Sequence, residues 1–302
     1  MGERGLLFFY AETPVHPGGS ESVGVLDLPI QRESTTRLPT MWGQSAKGAL
    51  RDHAGEQDWS DVTAVFGSAP PGSAGAGDGP PSPGWLAVGD LRLVAFPVPT
   101  LRDTFAWVTS PLALARQARA AQVARVPEST PPVPTVADDH VVFGDNGWSD
   151  GPDAKVGVGE YALTADPVST EVLAWARWLS DNALPTPPAD GRDPFAFFRK
   201  KLATDLLVVS DAQFTALTEE HAEVTARVQL HGDEKTVRHG PWYTEYLPAE
   251  TLLCSMLRNC APHGDVDSLG ARLDGDVLVA GGDETIGKGL VRTQLLPAGG
   301  GA

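Results

Sequence analysis

The sequence predicts an α+β fold with a ferredoxin-like core interrupted by large insertions. Three observations point that way. Strand and helix signals follow the order β, loop, helix, β, helix, then a hairpin and a closing strand. In 224–230, Val224, Ala226, Val228 and Leu230 alternate with Thr225, Arg227 and Gln229, the period of a half-exposed strand. No internal repeat is visible in the 302 residues, and 41% of them are hydrophobic, enough for a real core.

Residues 5–10 (GLLFFY) read as a buried first strand, which Pro14 and Pro17 end because neither can donate to a ladder. A short apolar stretch, 23–26, stops at Asp27-Leu28-Pro29. A helix starts over 45–51, with Ser45 as a plausible cap. Segment 67–84 is almost wholly Gly, Pro, Ala and Ser and reads as a flexible insertion. Strand signal resumes over 85–96, and a helix follows from Ser110 through Ala118. Residues 127–139 and 181–194 are Pro-rich loops around a strand at 156–163 and a short amphipathic helix at 171–179. A strand at 206–209 and a helix over 210–217 lead to the hairpin, 224–246, whose turn is 232–235. The last elements are a strand at 277–280 and a glycine-rich loop at 281–289.

Composition narrows the class of function. No apolar run is long enough to span a membrane, and the first apolar run is too short for a signal peptide. Cys254 and Cys260 have neither a zinc nor a redox spacing, and two thiols suit a reducing cytoplasm. The net charge of −16 argues on its face against nucleic acid. Residues 1–51, however, carry five Lys/Arg and five Asp/Glu, so the acidic excess lies elsewhere.

Several residues invite a chemical reading. Asp27 on a loop reads either as a turn former or as a carboxylate holding a divalent ion, Mg or Mn, against a phosphate. His16, between two backbone breakers, is a surface histidine or an acid–base group. Lys47 and Arg51, at i and i+4, are a solvated basic face or, with Arg32, phosphate contacts. Gly282 to Gly289 approaches a P-loop, but Gly289 replaces the hydroxyl that would hold Mg²⁺, and the loop lies late in the chain. Nucleotide hydrolysis is therefore rejected; a phosphate cradle built from Gly282, Gly287 and Lys288, or a plain closing turn, stays open. Trp242 and its aromatic neighbours at the hairpin base are base-stacking groups or buried anchors.

Three motifs stand in order: D-x-P-I-Q-R-E at 27–33, G-x-S-x-K-G-x-L-R at 43–51 and G-x-x-x-x-G-K-G at 282–289. With 10–19, 105–111 and 242–248, they make the chain resemble the RAMP superfamily of CRISPR proteins, and within it the backbone subunits of type III-B (Cmr) effectors. The resemblance implies a ferredoxin-like (RRM-like) palm in a single domain over 1–302, with 224–246 as a protruding thumb. It implies several copies stacked along a guide RNA beside other type III-B effector subunits. It also implies metal-dependent cleavage of complementary single-stranded target RNA. Asp27 would then be catalytic and hold the metal, assisted by His16, Glu245 and Tyr246. Arg32, Lys47, Arg51, Gly282, Gly287, Lys288 and Trp242 would contact RNA. The alternative is a structural RNA-binding subunit without chemistry. Two departures from the family pattern stand out: Pro97-Val98-Pro99-Thr100 lacks an expected arginine, and Thr244 replaces a second acid beside Glu245.

Overall fold

A computed structural model describes residues 3–19, 22, 24, 26–69, 80–151, 154–188, 191–231, 233 and 236–299. The first half of the chain runs β1 (Arg4–Ala11), β2 (Thr40–Met41), α1 (Gly43–Glu56), α2 (Val62–Phe66), β3 (Leu86–Val88), β4 (Leu91–Pro99), β5 (Phe105–Thr109), α3 (Pro111–Ala124) and β6 (His140–Phe143). Then come β7 (Lys155–Val158), β8 (Tyr161–Ala165), α4 (Thr170–Asn182), α5 (Ala196–Thr204), β9 (Leu206–Val208) and α6 (Asp211–Glu220). The last part holds β10 (Glu223–Leu230), β11 (Val237–Tyr246), β12 (Leu252–Asn259), α7 (Gly270–Leu273), β13 (Val277–Val279) and β14 (Leu290–Pro297).

One large mixed sheet has the order β13-β14-β1-β12-β4-β5-β9-β6-β8-β7, with β2 added to β4 and β3 to β12. The hairpin β10–β11 forms a separate two-stranded sheet. The fold is α+β, and a ferredoxin-like palm is consistent with it.

The sheet is buried on both faces, which explains the unbroken apolar run of β1. Its Leu7, Phe9 and Ala11 point into one core with Ala46, Leu50 and Ala54 of α1. Its Leu6, Phe8 and Tyr10 point into a second core with Leu114 of α3 and Val172, Trp175 and Leu179 of α4. Covered strands lose the polar alternation that reveals half-exposed ones. For that reason sequence reading overlooks β12 (LLCSMLRN), although β12 pairs with β1, β3 and β4 at the centre of the sheet. It overlooks β5 and β14 likewise.

Serine hydroxyls start three helices: Ser110 accepts from Ala113 N–H, Ser169 from Val172 N–H and Ser210 from Gln213 N–H. Helix α1 differs. Ser45 lies inside the helix rather than at its cap; Trp42 precedes it without a side-chain cap, and the Gly43 N–H donates to the Asp90 carboxylate at 2.7 Å. A Cβ on Gly43 would lie 2.4 Å from the Val88 carbonyl, so only glycine permits this approach.

The expected strand 23–26 and the expected turn 232–235 fall partly on residues outside the described set. So does segment 67–84, in residues 70–79. Its two ends are paired: the Ser68 N–H donates to the Ser82 carbonyl at 2.9 Å, and Gly67 bridges Pro83. A Cβ on Gly84 would sit 2.3 Å from the Gly67 nitrogen. The ends of the segment are thus a built stem, and the stretch expected to be freely deletable shrinks to its middle.

Glu250, at the turn into β12, carries an unpartnered Oε2, and its carboxyl is pushed up to about 7 by burial. The folded state therefore holds a proton that the unfolded chain releases near pH 4.5, so stability falls as pH rises from there through about 7.

Two outcomes are expected. Replacing residues 70–79 by a two-residue glycine link should leave Tm within about 2 °C, since loop length changes closure entropy slowly, whereas Gly84→Val should cost several degrees. Glu250→Gln should raise Tm by roughly 2 °C at pH 8, after allowing for solvent screening, and leave it unchanged at pH 4. Thermal melts at the two pH values read both.

Candidate nucleic-acid interface

The lower half of β11 is where the separate motifs meet. One edge of β11 pairs with β10, from Glu223↔Tyr246 upward. The other edge is completed by two short N-terminal segments. Asp27 and Leu28 both donate their N–H groups to the Tyr243 carbonyl at 3.1 Å, and the Glu245 N–H donates to Leu28 at 2.9 Å. Val15 then exchanges both backbone hydrogen bonds with Leu247, at 2.9 and 2.8 Å. An otherwise open strand edge is thereby satisfied.

Asp27 is exposed, and one of its carboxylate oxygens accepts from the Tyr243 N–H at 2.8 Å. That bond is a long-range strap to β11 rather than a local turn, and the second oxygen makes no hydrogen bond among the described residues. No three His, Cys, Asp or Glu side chains gather as a metal site among the described residues. The described residues thus offer Asp27 alone rather than a closed protein cage for an ion. A divalent ion at Asp27 would depend on RNA phosphates and water for the rest of its shell.

Glu245 is not an exposed acid. Its side chain is 4% exposed and pairs at 2.6 Å with Arg32, which is 7% exposed. Its other oxygen accepts from the Ile30 N–H at 2.9 Å. Arg32 also donates to the carbonyls of Arg37 and Thr218, both at 3.1 Å. Both groups are thus committed to holding the 28–33 segment against the hairpin base. Thr244, between Tyr243 and Glu245, is fully buried, so an acid there would face the interior.

His16, 8% exposed, places Nδ1 2.7 Å from the Glu245 carbonyl. A carbonyl only accepts, so Nδ1 carries the proton and Nε2 is left to accept or, in the imidazolium, to donate. A Cβ on Gly18 would lie 3.0 Å from that Nε2. The His16 carbonyl accepts from the Gly282 N–H at 2.9 Å, and its ring meets Tyr246 edge-on at 5.5 Å.

Tyr246 is buried, and its hydroxyl donates to Asp283 at 2.7 Å. Arg227 on β10 reaches the other Asp283 oxygen at 2.7 Å. Burial opposes ionisation of Asp283, but the Tyr246 hydroxyl and the Arg227 guanidinium outweigh it and hold the carboxyl below its usual range. Burial, reinforced by Asp283, raises the Tyr246 phenol and keeps it a donor. Lys288 pairs with Glu223 at 2.9 Å and lies over the Tyr246 ring. Gly287 has φ +79 with open space around it, a conformation that favours glycine. Trp242 is half-buried beside Arg227 and His239.

Lys47 and Arg51 do not join this cluster. Lys47 donates to the Leu86 carbonyl at 2.8 Å, and Arg51 donates to the Gly67 carbonyl at the stem of the insertion. Burial lowers the Lys47 pKa. The α1 residues that face the glycine loop are Gln44, Ser45, Gly48 and Asp52, which line a cleft of about 560 Å³ with His16 and Gly282. Asp283 and Arg227 carry no signal in the sequence: Asp283 lies within a glycine-rich turn, and Arg227 resembles any outward residue of an alternating strand.

Comparison with known proteins identifies the family and the fold. The RAMP superfamily pattern matches residues 8–292. The CRISPR system Cmr endoribonuclease Cmr4 of Pyrococcus furiosus is 30% identical over 299 residues, covering 96% of this chain and 95% of that protein. The crystal structure of oligomeric Cmr4 from Pyrococcus furiosus superposes with a TM-score of 0.72 at 27% identity, covering 99% of this chain and 100% of that one. A chain of the type III-B Cmr-beta complex bound to cognate target RNA has the same fold, with a TM-score of 0.68 at 18% identity over 97% of each chain. The 43–51 and 282–289 motifs flanking one cleft, the hairpin seated on the 27–33 motif, and these matches lead to one conclusion: the chain belongs to the RAMP superfamily.

Proposed function

We propose that this chain is a guide-RNA-binding backbone subunit of a type III-B CRISPR effector that cuts complementary target RNA in the cytoplasm. Copies of it stack along the guide beside other subunits of the effector. The observation that carries the reading is the display of Asp27. It sits exposed on the β11 edge with one carboxylate oxygen unbonded among the described residues, and His16, anchored two residues further along β11, has its tautomer set by the Glu245 carbonyl.

Pairing between guide and target supplies sequence specificity, so the protein needs to read only backbone and shape. The hairpin lies between a base and its neighbour and exposes the linkage beside it. The 2′-oxygen of that ribose then bonds to phosphorus as the 5′-oxygen leaves, and His16 Nε2 exchanges a proton with these oxygens. A bare carboxylate repels a phosphodiester. Asp27 therefore acts by accepting the 2′-hydroxyl hydrogen bond; a divalent ion, if held by Asp27 and the RNA, would supply charge stabilisation of the phosphate. Arg32 and Glu245 hold the scaffold, Tyr246 and Lys288 tie the glycine loop to the hairpin, and Gly282, Gly287 and Trp242 are left to touch RNA directly.

A structural subunit without chemistry is the second reading. The commitment of Arg32, Glu245 and Tyr246 to contacts within the chain suits it as well as it suits cleavage.

Asp27→Asn in the assembled complex separates the two. Cleavage of a labelled target should fall by at least about a hundredfold while target binding in a gel shift stays near wild type; a mutant that cuts at the normal rate excludes Asp27 from the chemistry. The nature of the nucleophile is read from a target carrying one deoxynucleotide 5′ to a cut. That cut alone should stop, and the remaining fragments should carry 2′,3′-cyclic phosphate and 5′-hydroxyl ends. Fragments ending in 5′-phosphate point to attack by water instead.

A further inference from the structure

Helix α3 meets the sheet with Ala113, Gln117 and Ala120, spaced three and four residues apart on one face. Two alanines and an amide do not fill the space to β4 and β12, and a cavity of about 300 Å³ remains, floored by Val94 and Cys254. Its lining shares no residue with the cleft at His16.

Three arginines, Arg92, Arg116 and Arg119, stand at this one cavity in a chain of net charge −16. Glu33 holds Arg116 at 2.8 Å and Arg92 more loosely at 3.5 Å. Asp90, also at the cavity, accepts from the Gly43 N–H. Arg119 is exposed and has no ion pair or hydrogen bond among the described residues. Deeper in, Gln117 is 4% exposed, and its Nε2 has no ordinary hydrogen-bond partner among the described residues, only a weak bond toward the Cys254 thiol. The Cys254 thiol beside it is pushed up to about 12 by burial, so it stays neutral and is a weak acceptor. A buried amide met only by a thiol is poorly satisfied, which is costly and calls for an explanation. Its terminal torsion is broad, so a small rotation turns the amide toward the cavity it lines.

We propose that this cavity is a nucleotide site, in which the arginines take a phosphate and Gln117 hydrogen-bonds the edge of a base inserted between α3 and the sheet. Arginine suits the phosphate by its forked donors, and the amide matches a base edge in both donor and acceptor. The small alanines leave room for a planar ring. The ligand is either a free mononucleotide or one nucleotide of an RNA strand. The site is independent of the cleavage reading.

The test uses the full-length chain, with AMP, GMP, CMP and UMP measured by calorimetry and ligand-observed NMR beside inorganic phosphate and adenosine. At least one mononucleotide should bind about tenfold more tightly than phosphate or nucleoside alone. Arg119→Glu should weaken it by about tenfold or more. Gln117→Leu should remove the preference among bases while raising Tm, because it deletes an unsatisfied donor. Asp27→Asn should bind nucleotide normally, which separates this site from the cleavage site. Displacement of the mononucleotide by a trinucleotide RNA assigns the site to a strand, and lack of displacement assigns it to a free nucleotide. No binding by any mononucleotide, equal binding by phosphate alone, or unchanged base preference in Gln117→Leu overturns the proposal.

Discussion

The architecture of the interface depends on one residue, Glu245, all of whose polar groups are in use. Its two carboxylate oxygens hold Arg32 and the Ile30 N–H, its carbonyl holds His16, and its own N–H holds Leu28. Removing one partner of a buried ion pair costs about 3–5 kcal/mol, because the other charge is left stranded. Here the loss would also release the segment that displays Asp27. Loss of function at Glu245 or Arg32 is therefore expected on structural grounds alone and says nothing about chemistry. Asp27 differs, because its exposed carboxylate supports only the Tyr243 N–H.

A second set of contacts fixes the hairpin against the glycine loop. Asp283, itself in the left-handed region at φ +68, receives Tyr246 from β11 and Arg227 from β10. Lys288 reaches Glu223 at the start of β10. The loop thus touches both strands of the hairpin at its base, while His16 joins this network to Glu245. Three regions far apart in the chain become one rigid support.

Much of this was legible in the sequence, and the illegible parts have physical causes. The alternation over 224–230 marked β10, but the structure reverses its faces: Val224 and Val228 are exposed, whereas Thr225 and Arg227 are half-buried against the hairpin base. Ser110 and Ser210 marked helix starts by the hydrogen bonds they make. The three motifs pointed to residues that do converge, apart from Lys47 and Arg51. Those two failed to converge because helical spacing states which residues share a face and not what that face meets; here it meets the Leu86 and Gly67 carbonyls. Strand β12 was hidden because burial on both sides erases periodicity. The role of Asp283 was hidden because its partners lie 56 and 37 residues away.

The commitment of these cations to carbonyls and carboxylates has a consequence for how RNA would be retained. Lys47, Arg51, Arg32 and Lys288 are all engaged within the chain, on a molecule of net charge −16. Little of the hold that these four residues could exert on a phosphate would then come from free positive charge, and their share of the salt sensitivity would be shallow. On the proposed function, retention would become a matter of avidity: each added copy would raise the local concentration of the next contact, and occupancy along the strand would approach all or none. Short stray transcripts, which engage one copy at a time, would be released quickly, and only a strand long enough to span several copies would stay.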